Sequence, residues 1–553
     1  MELVVTEVSQ IQRYIFGSNR MRENVGASYL VTQATEGWAL EAFKKAAPKN
    51  NLCKNGTAEL DDNKQIEMDR SLDAEILYVG GGNFVALFRQ KVTAQNFIQT
   101  LSRRILTDAP ELQLVVACQE YDWNENGISL YKALTEVLSK LESNKRALVP
   151  SVPLLGQGVT AVCHSTGLPA VLVHSIGKDD YLVSAEVHAK NSNVELARGR
   201  LTGIVPPPED YCYPVENIDL LGRTRGEHSY IAVVHIDGND MGQRKKKIGQ
   251  KHAELSQNRE YVKAIRKFSL GVKKSAEKAL KQTIDKLAEN IIEEKGKKII
   301  AHYCKDEVGK EIDLIARVEL SSVDSNIFLP ILPIVYGGDD LTFICDGRLA
   351  LSLAVEYIRF FEQETQKNLK EKITSCAGIA IVKSHYPFAQ AYRLAEGLCQ
   401  SAKNYYRALK TGEKGCSCMD WHLAPSGFSG DIKKIRELEY AVKDGSLSLR
   451  PVTLGNNDLH EVRAWPVIEK GALAFQKPEW FQRRNKAKAL QEALREGAEY
   501  VEQFRFRFNG SRELPDLQTS MRNFLTRGWH GHYCGYFDAL ELLDWYIPLG
   551  EEK

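Results

Sequence analysis

The sequence predicts an α+β fold: two related sheet-bearing halves followed by a helical C-terminal part. Three observations carry this. Short apolar runs rich in β-branched residues alternate with longer amphipathic stretches as far as about residue 425. Glu75–Phe88 (EILYVGGGNFVALF) and Leu332–Phe343 (LPIVYGGDDLTF) repeat one pattern of strand, glycine turn, strand, which marks an internal duplication. Beyond Gly430, KKIRELEYAVKD and KALQEALREGAEYVEQFRFRF combine helix-period apolar residues with strong helix formers. A hydrophobic fraction of 43% and a charged fraction of 26% are those of soluble globular proteins. The net charge of +1 gives no whole-molecule field that would argue for nucleic acid or membrane.

Taken in order, Leu3–Val8 reads as a strand, and a helix follows from Ile11 into the Arg13, Arg20, Arg22 region. Ala27–Ala47 is an amphipathic helix, and the polar stretch Lys49–Asp73 a loop. The Glu75–Phe88 hairpin precedes a helix around Ala94–Leu106, a strand at Gln113–Tyr121 and a helix at Tyr131–Ser143. Pro150–Thr160 is punctuated by proline and glycine and reads as a linker. Cys163-His164 invites a zinc reading, but Thr166 stands where the second cysteine of a close pair would fall. A metal-free hairpin knob is expected there, and no zinc. Four prolines in Val205–Pro214 mark the boundary before the second half.

The second half opens on Tyr230–Ile236 (YIAVVHI), a buried strand by its β-branched run. Arg244–Lys247 (RKKK) begins a helix-rich, lysine-laden insert running to about Lys298. Such runs are usually a solvated face, with RNA phosphate binding as the alternative. After the second hairpin come a helix at Leu349–Asn368, a strand at Ile373–Val382 and a helix at Pro387–Leu409. The expected division is 1–155, a small insertion at 156–215, a second unit at 216–425 with its insert at about 244–300, and a helical region at 426–553. The aromatic tail WHGHYCGYFDALELLDWYIPL reads as core or interaction face, with His530 and His532 structural. The eleven cysteines form no framework, MELVVTEV reads as a strand rather than a signal peptide, and no apolar run reaches about 18 residues. A reducing cytoplasm is the expected compartment.

The chemistry gathers at two turns. Gly337-Gly338 tolerate the backbone of a tight hairpin and lift Asp339 and Asp340 to one edge of a sheet. Side-by-side carboxylates repel, and a divalent cation would relieve that repulsion. Asp237 ends the Tyr230 strand, followed by Gly238, which leaves room for a phosphate at the backbone. Alone, Asp237 reads equally well as a turn or cap residue, and Asp240 as the cap of the next helix. If the two turns meet, Asp237, Asp339 and Asp340 suffice for two cations about 3.5–4 Å apart, as polymerases arrange them. Lys403 and Arg407 are four residues apart and share a helix face suited to triphosphate oxygens. In the first copy Gly82-Asn83 stands where the second has Asp339-Asp340, and Ser9 is set opposite Asp237. That copy, through Ser9, Gly81, Gly82 and Asn83, is a candidate nucleotide wall without a metal pair of its own.

The order of Asp237 strand, GGDD hairpin, SCAGIAI strand and AEGLCQSAK helix resembles the palm shared by GGDEF cyclases and the CRISPR polymerase family. EVSQIQRYIFGSNRMRENVGASYLV, GGGNF, CHSTGLPA and LPIVYGGDDLTF are similar to the first palm, its degenerate hairpin, the small finger and the active palm of the latter. This is the large subunit of type III CRISPR effector complexes, in its Cmr-type branch. The resemblance covers about residues 1–425. It implies two ferredoxin-like palms packed face to face and a helical C-terminal domain. It implies Asp237, Asp339 and Asp340 as catalytic and Mg²⁺-binding (or Mn²⁺-binding) residues. It also implies ATP as substrate, joined through 3′–5′ bonds into cyclic oligoadenylate or related adenylate messengers. The nucleotide would be held by Gly238, Gly337, Gly338, Lys403 and Arg407 from the second palm and Ser9, Gly81, Gly82 and Asn83 from the first. Guide and target RNA, other type III subunits and a messenger-activated effector are the implied partners, with no membrane. No His-Asp dipeptide occurs in the sequence, so target-DNA cleavage is not expected. The alternatives are a non-catalytic RNA-sensing scaffold subunit and a GTP-using dinucleotide cyclase.

Overall fold

The structure is a computed structural model. It describes residues 1–53, 59–123, 127–148, 158–176, 179–221, 229–306, 308–409, 415–424, 431–455, 462–508 and 510–550. Most of the predicted 150–160 linker, and the 425–430 approach to the C-terminal region, lie outside these residues.

The first half runs β1 (Glu2–Ser9), a short helix (Ile11–Phe16), α1 (Met21–Thr32), α2 (Trp38–Ala46), β2 (Ala74–Gly80), β3 (Asn83–Phe88), α3 (Lys91–Asp108), β4 (Gln113–Glu120) and α4 (Leu130–Ala147). The predicted Ala27–Ala47 helix starts earlier and is interrupted by a π-helical turn at Gln33–Gly37. The strands order as β2-β3-β1-β4, with β1 antiparallel to both neighbours, so this half is a ferredoxin-like βαββαβ unit. β1 is buried on both faces, which explains its unbroken apolar run rather than an alternation. Val4 and Val8 pack towards α2 and α3, whereas Leu3 and Val5 pack towards α4.

A small two-stranded finger, Leu172–Ile176 with Asp179–Val183, leads to α5 (Val194–Ile204). The second half then repeats the first. It runs β5 (Tyr230–Gly238), α6 (Met241–Lys251), α7 (Asn258–Glu289), β6 (Ile331–Val335), β7 (Asp340–Asp346), α8 (Ala350–Leu369), β8 (Ser375–Lys383), α9 (Phe388–Leu409) and β9 (Cys418–Ala424). Its sheet orders as β6-β7-β5-β8, matching the first strand for strand, and is extended by β9 and a short strand at Val452–Thr453. α8, with α7 packed beside it, covers one face, and α9 covers the other, as α4 does in the first half.

The insert departs from expectation. It is helical only to Glu289; Ile292–Glu294, Lys297–Lys305 and Glu311–Glu319 form a separate three-stranded antiparallel sheet. The polar, half-exposed faces of KKIIAHYCK and EIDLIARVE hide these strands among lysine-rich sequence. The lysine-laden α7 is amphipathic: Tyr261, Val262, Ile265 and Val272 are buried while its lysines face outward.

α7 also ties the halves together by packing on β2. Glu75 of β2 is fully buried and takes Arg259 at 2.6 Å and Arg266 at 2.7 Å, both from α7. Beyond residue 430, Trp465–Phe475, Arg484–Glu496 and Ala498–Phe508 form a helical region around Trp465, Phe475, Trp480 and Tyr536. The predicted long helix breaks at Gly497, whose φ of 117° is open to glycine. The aromatic tail is core there, with short strands at Trp529–His530 and Tyr533–Cys534. Among the described residues no helix is long and apolar enough to cross a membrane.

Candidate active site

The two turns meet. β7 pairs antiparallel with β5, and the register sets Asp340 directly opposite Asp237. Cross-strand partners point to the same face, so their carboxylates are neighbours. The Gly238 amide donates to the Asp339 carbonyl at 3.1 Å, which draws the third acid in. Gly238 serves that approach: a Cβ there would lie 3.0 Å from Asp339 Cβ. Gly337 takes φ 100°, the conformation that turns the chain between β6 and β7.

Electrostatics show what the cluster lacks. Burial, then repulsion from Asp237 and Asp339, holds the Asp340 carboxyl well above the ordinary carboxylate range. Burial and Asp237 raise Asp339 as well, against the opposing pull of Lys245 and Lys403. Asp340 Oδ1 is buried without a hydrogen-bond partner, although the side chain keeps 40% of its surface open. His235 Nδ1 lies 3.3 Å from that oxygen and 3.1 Å from Thr342 Oγ1. Burial pushes the His235 imidazole down, so it stays neutral and offers no balancing charge. The balancing cation is Lys403, whose Nζ pairs with Asp237 Oδ2. Burial alone would lower the Lys403 ammonium, but the charge of Asp237 outweighs it and the net shift is upward.

Among the described residues no three His, Cys, Asp or Glu side chains already converge as a metal cage. A hard divalent cation fits the donor set nonetheless. Mg²⁺ is usually held by one or two carboxylates plus substrate phosphates, not by an all-protein cage. The unpartnered Asp340 oxygen and the two carboxyls raised by burial and then by repulsion from neighbouring acids are the groups such a cation would satisfy.

Asp237, Asp339, Asp340, Gly337 and Gly338 line a cavity of about 370 Å³, and its opposite wall is Gly80, Gly81 and Gly82 of the first half. The duplicated glycine turns therefore face each other across one space. Lys245 of α6 and Arg200 of α5 are also on its wall. A Cβ at Gly81 would lie 2.9 Å from Lys245 Nζ, and Arg200 stacks on Tyr336 with its Cζ 4.5 Å from the ring centroid. Neither residue is singled out by sequence: Lys245 is one of four adjacent cations and Arg200 sits on a distant helix. Only the fold separates half-buried Lys245 from exposed Lys246 and Lys247.

Five predicted binding residues are not on this cavity's wall. Gly238 and Lys403 hold the acids themselves, Lys403 spending its ammonium on Asp237 instead of facing the cavity as a triphosphate clamp. Arg407 is exposed and donates to Asn404 Oδ1 at 3.3 Å, one turn further along α9 than Lys403. Ser9 lines a second cavity, about 450 Å³, against the finger. Asn83 turns its amide back to the Gly81 carbonyl at 3.1 Å. Register also corrects the match within the duplication. Asn83, the counterpart of Asp340, pairs with Glu7, not with Ser9. Glu7 is bound by Lys145 of α4 at 2.7 Å, just as Asp237 is bound by Lys403 of α9. The first copy thus keeps one acid and its lysine and has lost the acids of the hairpin. Asp240 occupies the N-cap position of α6, but its carboxylate accepts the Tyr406 hydroxyl at 2.7 Å instead of capping the helix.

α9 is set close against β8. At Gly378 an added Cβ would meet Ala395 O at 2.0 Å and Cys399 N at 2.2 Å, so only glycine lets α9 bring Lys403 down to Asp237.

Residues 230–408 match the family model of the Cas10/Cmr2 second palm domain. No curated protein matches the chain. Among solved structures, the Csm1–Csm4 cassette in complex with pppApApA is similar at 10% identity with a TM-score of 0.52, over 98% of this chain and 69% of that one. The cassette with cA4 gives 12% and 0.42 over 73% and 53%; Csm1 of T. onnurineus gives 13% and 0.46 over 99% and 69%. The chain thus spans about half the length of one of these relatives and about two thirds of the others. At such identities the likeness speaks for the fold, two palms with a helical region.

Proposed function

We infer that this chain, whose residues 230–408 are a second palm of the Cas10/Cmr2 type, joins ATP molecules through 3′–5′ bonds into cyclic oligoadenylates or related adenylate messengers. The setting would be CRISPR-type antiviral defence. The observation that carries this reading is the shared cavity: it is lined by three clustered carboxylates, by the glycine turn of the first half, and by the cations Arg200, Lys245 and Lys273, of which Lys273 is paired with Glu36. A transferase that uses one nucleotide as donor and another as acceptor needs such a two-walled site. The pppApApA bound to the fold relative is a linear product of this class of reaction.

In the reaction the 3′-hydroxyl of one nucleotide attacks the α-phosphorus of another; a P–O bond forms, the bond to the β-phosphate breaks, and pyrophosphate leaves. Asp237, Asp339 and Asp340 would hold Mg²⁺ or Mn²⁺, which when bound supplies Lewis-acid neutralisation at the α-phosphate and acidifies the attacking hydroxyl. The chain's own groups do the rest. Lys245 and Arg200 hold polyphosphate oxygens by charge-assisted hydrogen bonds. The bare turn at Gly80–Gly82 leaves space for the second nucleotide. Lys403 fixes the Asp237 carboxylate. Neutral His235, beside Asp340, adds no charge that would compete with the cation.

The test is incubation of purified protein with Mg²⁺ or Mn²⁺ and each nucleoside triphosphate, with and without RNA, and mass analysis of the products. The reading expects adenylate oligomers that vanish in an Asp339→Ala, Asp340→Ala double variant. Guanylate products would point to the GTP-using alternative. No product under any condition, RNA included, would leave the scaffold reading. Type III subunits, guide or target RNA and a messenger-activated effector are the partners this function calls for.

A further inference from the structure

Four of the eleven cysteines collect on the far side of the catalytic strand. Cys418 of β9 lies directly opposite Cys376 of β8, and Cys376 lies directly opposite Asp237 of β5. Cys399, one turn before Lys403 on α9, donates its thiol to the Cys376 carbonyl at 3.3 Å. Cys416 completes the cluster, with its Sγ 3.9 Å from Cys418 Sγ. Three of the four are buried and only Cys416 is partly open to solvent.

We propose that Cys416 and Cys418 are a reversible thiol pair whose oxidation to a disulfide lowers activity at the neighbouring carboxylate site. The regulatory half rests on the function proposed above; the bond itself does not. A hydroperoxide is the oxidant. The Cys416 thiolate attacks its terminal oxygen, giving the sulfenic acid and releasing water or an alcohol. The Cys418 sulfur then attacks Cys416 sulfur, forming the S–S bond and expelling water. Two thiols lose two electrons and two protons in all, and the peroxide bond takes up both electrons. Cys416 is the entry point because it alone is accessible, and Cys418 is the resolving partner because it is adjacent.

Closing the bond brings the sulfurs about 2 Å nearer, to the S–S distance of about 2.05 Å. Ser417 lies between them and must turn. Its hydroxyl accepts the Ser375 amide at 2.9 Å and donates to Glu362 at 2.6 Å. Ser375 starts β8 and pairs with Gly238, while the adjoining Thr374 carbonyl takes the Asn239 amide at 2.8 Å. Turning Ser417 therefore loosens the strand edge that holds the Asp237–Asn239 turn.

The experiment treats reduced full-length protein with hydrogen peroxide, alkylates the remaining thiols and maps cysteines by peptide mass. The expected result is a Cys416–Cys418 bond, reversed by dithiothreitol, with faster hydrogen exchange in the peptide carrying the Ser375 amide. Product formation from ATP should fall about 10- to 100-fold, the cost of a misplacement near 1 Å. Cys416→Ser should keep full reduced activity and lose peroxide sensitivity, whereas Cys212→Ser should behave as wild type. Alkylation of both thiols after peroxide, or a bond to Cys376 or Cys399 instead, would overturn the pair. A peroxide response retained in Cys416→Ser, or a bond without change in Ser375 exchange, would overturn the regulation. Mapping and exchange need no turnover, so an inactive protein would count against the proposed function and leave these two results to decide.

Discussion

Replacing Gly378 by alanine adds one methyl group far from any proposed substrate contact, yet it should disable the site. The new Cβ would sit 2.0 Å from the Ala395 carbonyl oxygen, where ordinary contact begins at 3.4 Å, and 2.2 Å from the Cys399 amide nitrogen. Both atoms are helix backbone, so no side chain can swing aside. α9 must retreat from β8 by about 1.4 Å, or β8 must bow by as much. Overpacking of this kind costs about 1–3 kcal/mol. α9 also carries Lys403, so the same displacement separates its ammonium from Asp237. A misplacement near 1 Å near reacting groups costs on the order of 10²-fold in rate. The assay is adenylate product formation alongside thermal unfolding, with the nearby half-buried Gly397, where a Cβ meets nothing within 4 Å, changed to alanine as control. A Gly378→Ala protein with wild-type melting and wild-type turnover would refute the claim that close α9–β8 packing sets the lysine in place.

Other outcomes follow from the same geometry. If a divalent cation is bound here as proposed, Asp340→Asn should cut turnover roughly a thousandfold or more, because such a cation would supply several kcal/mol of charge stabilisation, while leaving the fold intact. The folded-state carboxyl is raised, so the wild type loses stability as pH rises from the ordinary value of about 4 through the raised one. The thermal advantage of Asp340→Asn should therefore widen with pH over that window; an advantage that shrinks would contradict the raised carboxyl. For the same reason Mg²⁺ affinity, read by titration calorimetry, should increase with pH across the window as the cation displaces a proton. Lys245→Ala and Arg200→Ala should each weaken ATP binding by about 10- to 150-fold, the worth of a charge-assisted hydrogen bond at about 1.5–3 kcal/mol, but leave AMP binding nearly unchanged. Equal losses for ATP and AMP would place these cations away from the polyphosphate. Glu75→Ala leaves buried Arg266 with Asp62 and half-buried Arg259 with Glu67 as their remaining carboxylates, so it should cost less than the about 3–5 kcal/mol of a fully broken buried pair, seen as an earlier thermal transition.

Part of the site was legible from local pattern. Strand–glycine–strand runs are short-range signals, whereas the pairing of the Asp237 strand with the GGDD hairpin was left open by sequence and is set by the sheet. What pattern could not supply was register and reach. Setting Ser9 against Asp237 by similarity misses that Asn83 pairs with Glu7, because the side-chain period of a strand is two and only the partner strand fixes which residue faces which. Arg407 shares a face with Lys403 on paper, but a helix face extends beyond a compact cavity, and the next turn is already in solvent. Lys245 and Arg200 reach the cavity from α6 and α5, elements brought there by tertiary packing alone. The small sheet at 292–319 was hidden because its strands are polar enough to pass for more of the lysine-rich helix.

The buried Glu75 with its two arginines has a mechanical consequence. Prising the halves apart along α7 would bare a carboxylate and two guanidinium groups at once, so that seam is effectively welded. If the proposed function holds, reactants and oligomers would enter and leave through the space between the two glycine turns, with the halves held as a fixed jaw rather than as a book that opens and shuts.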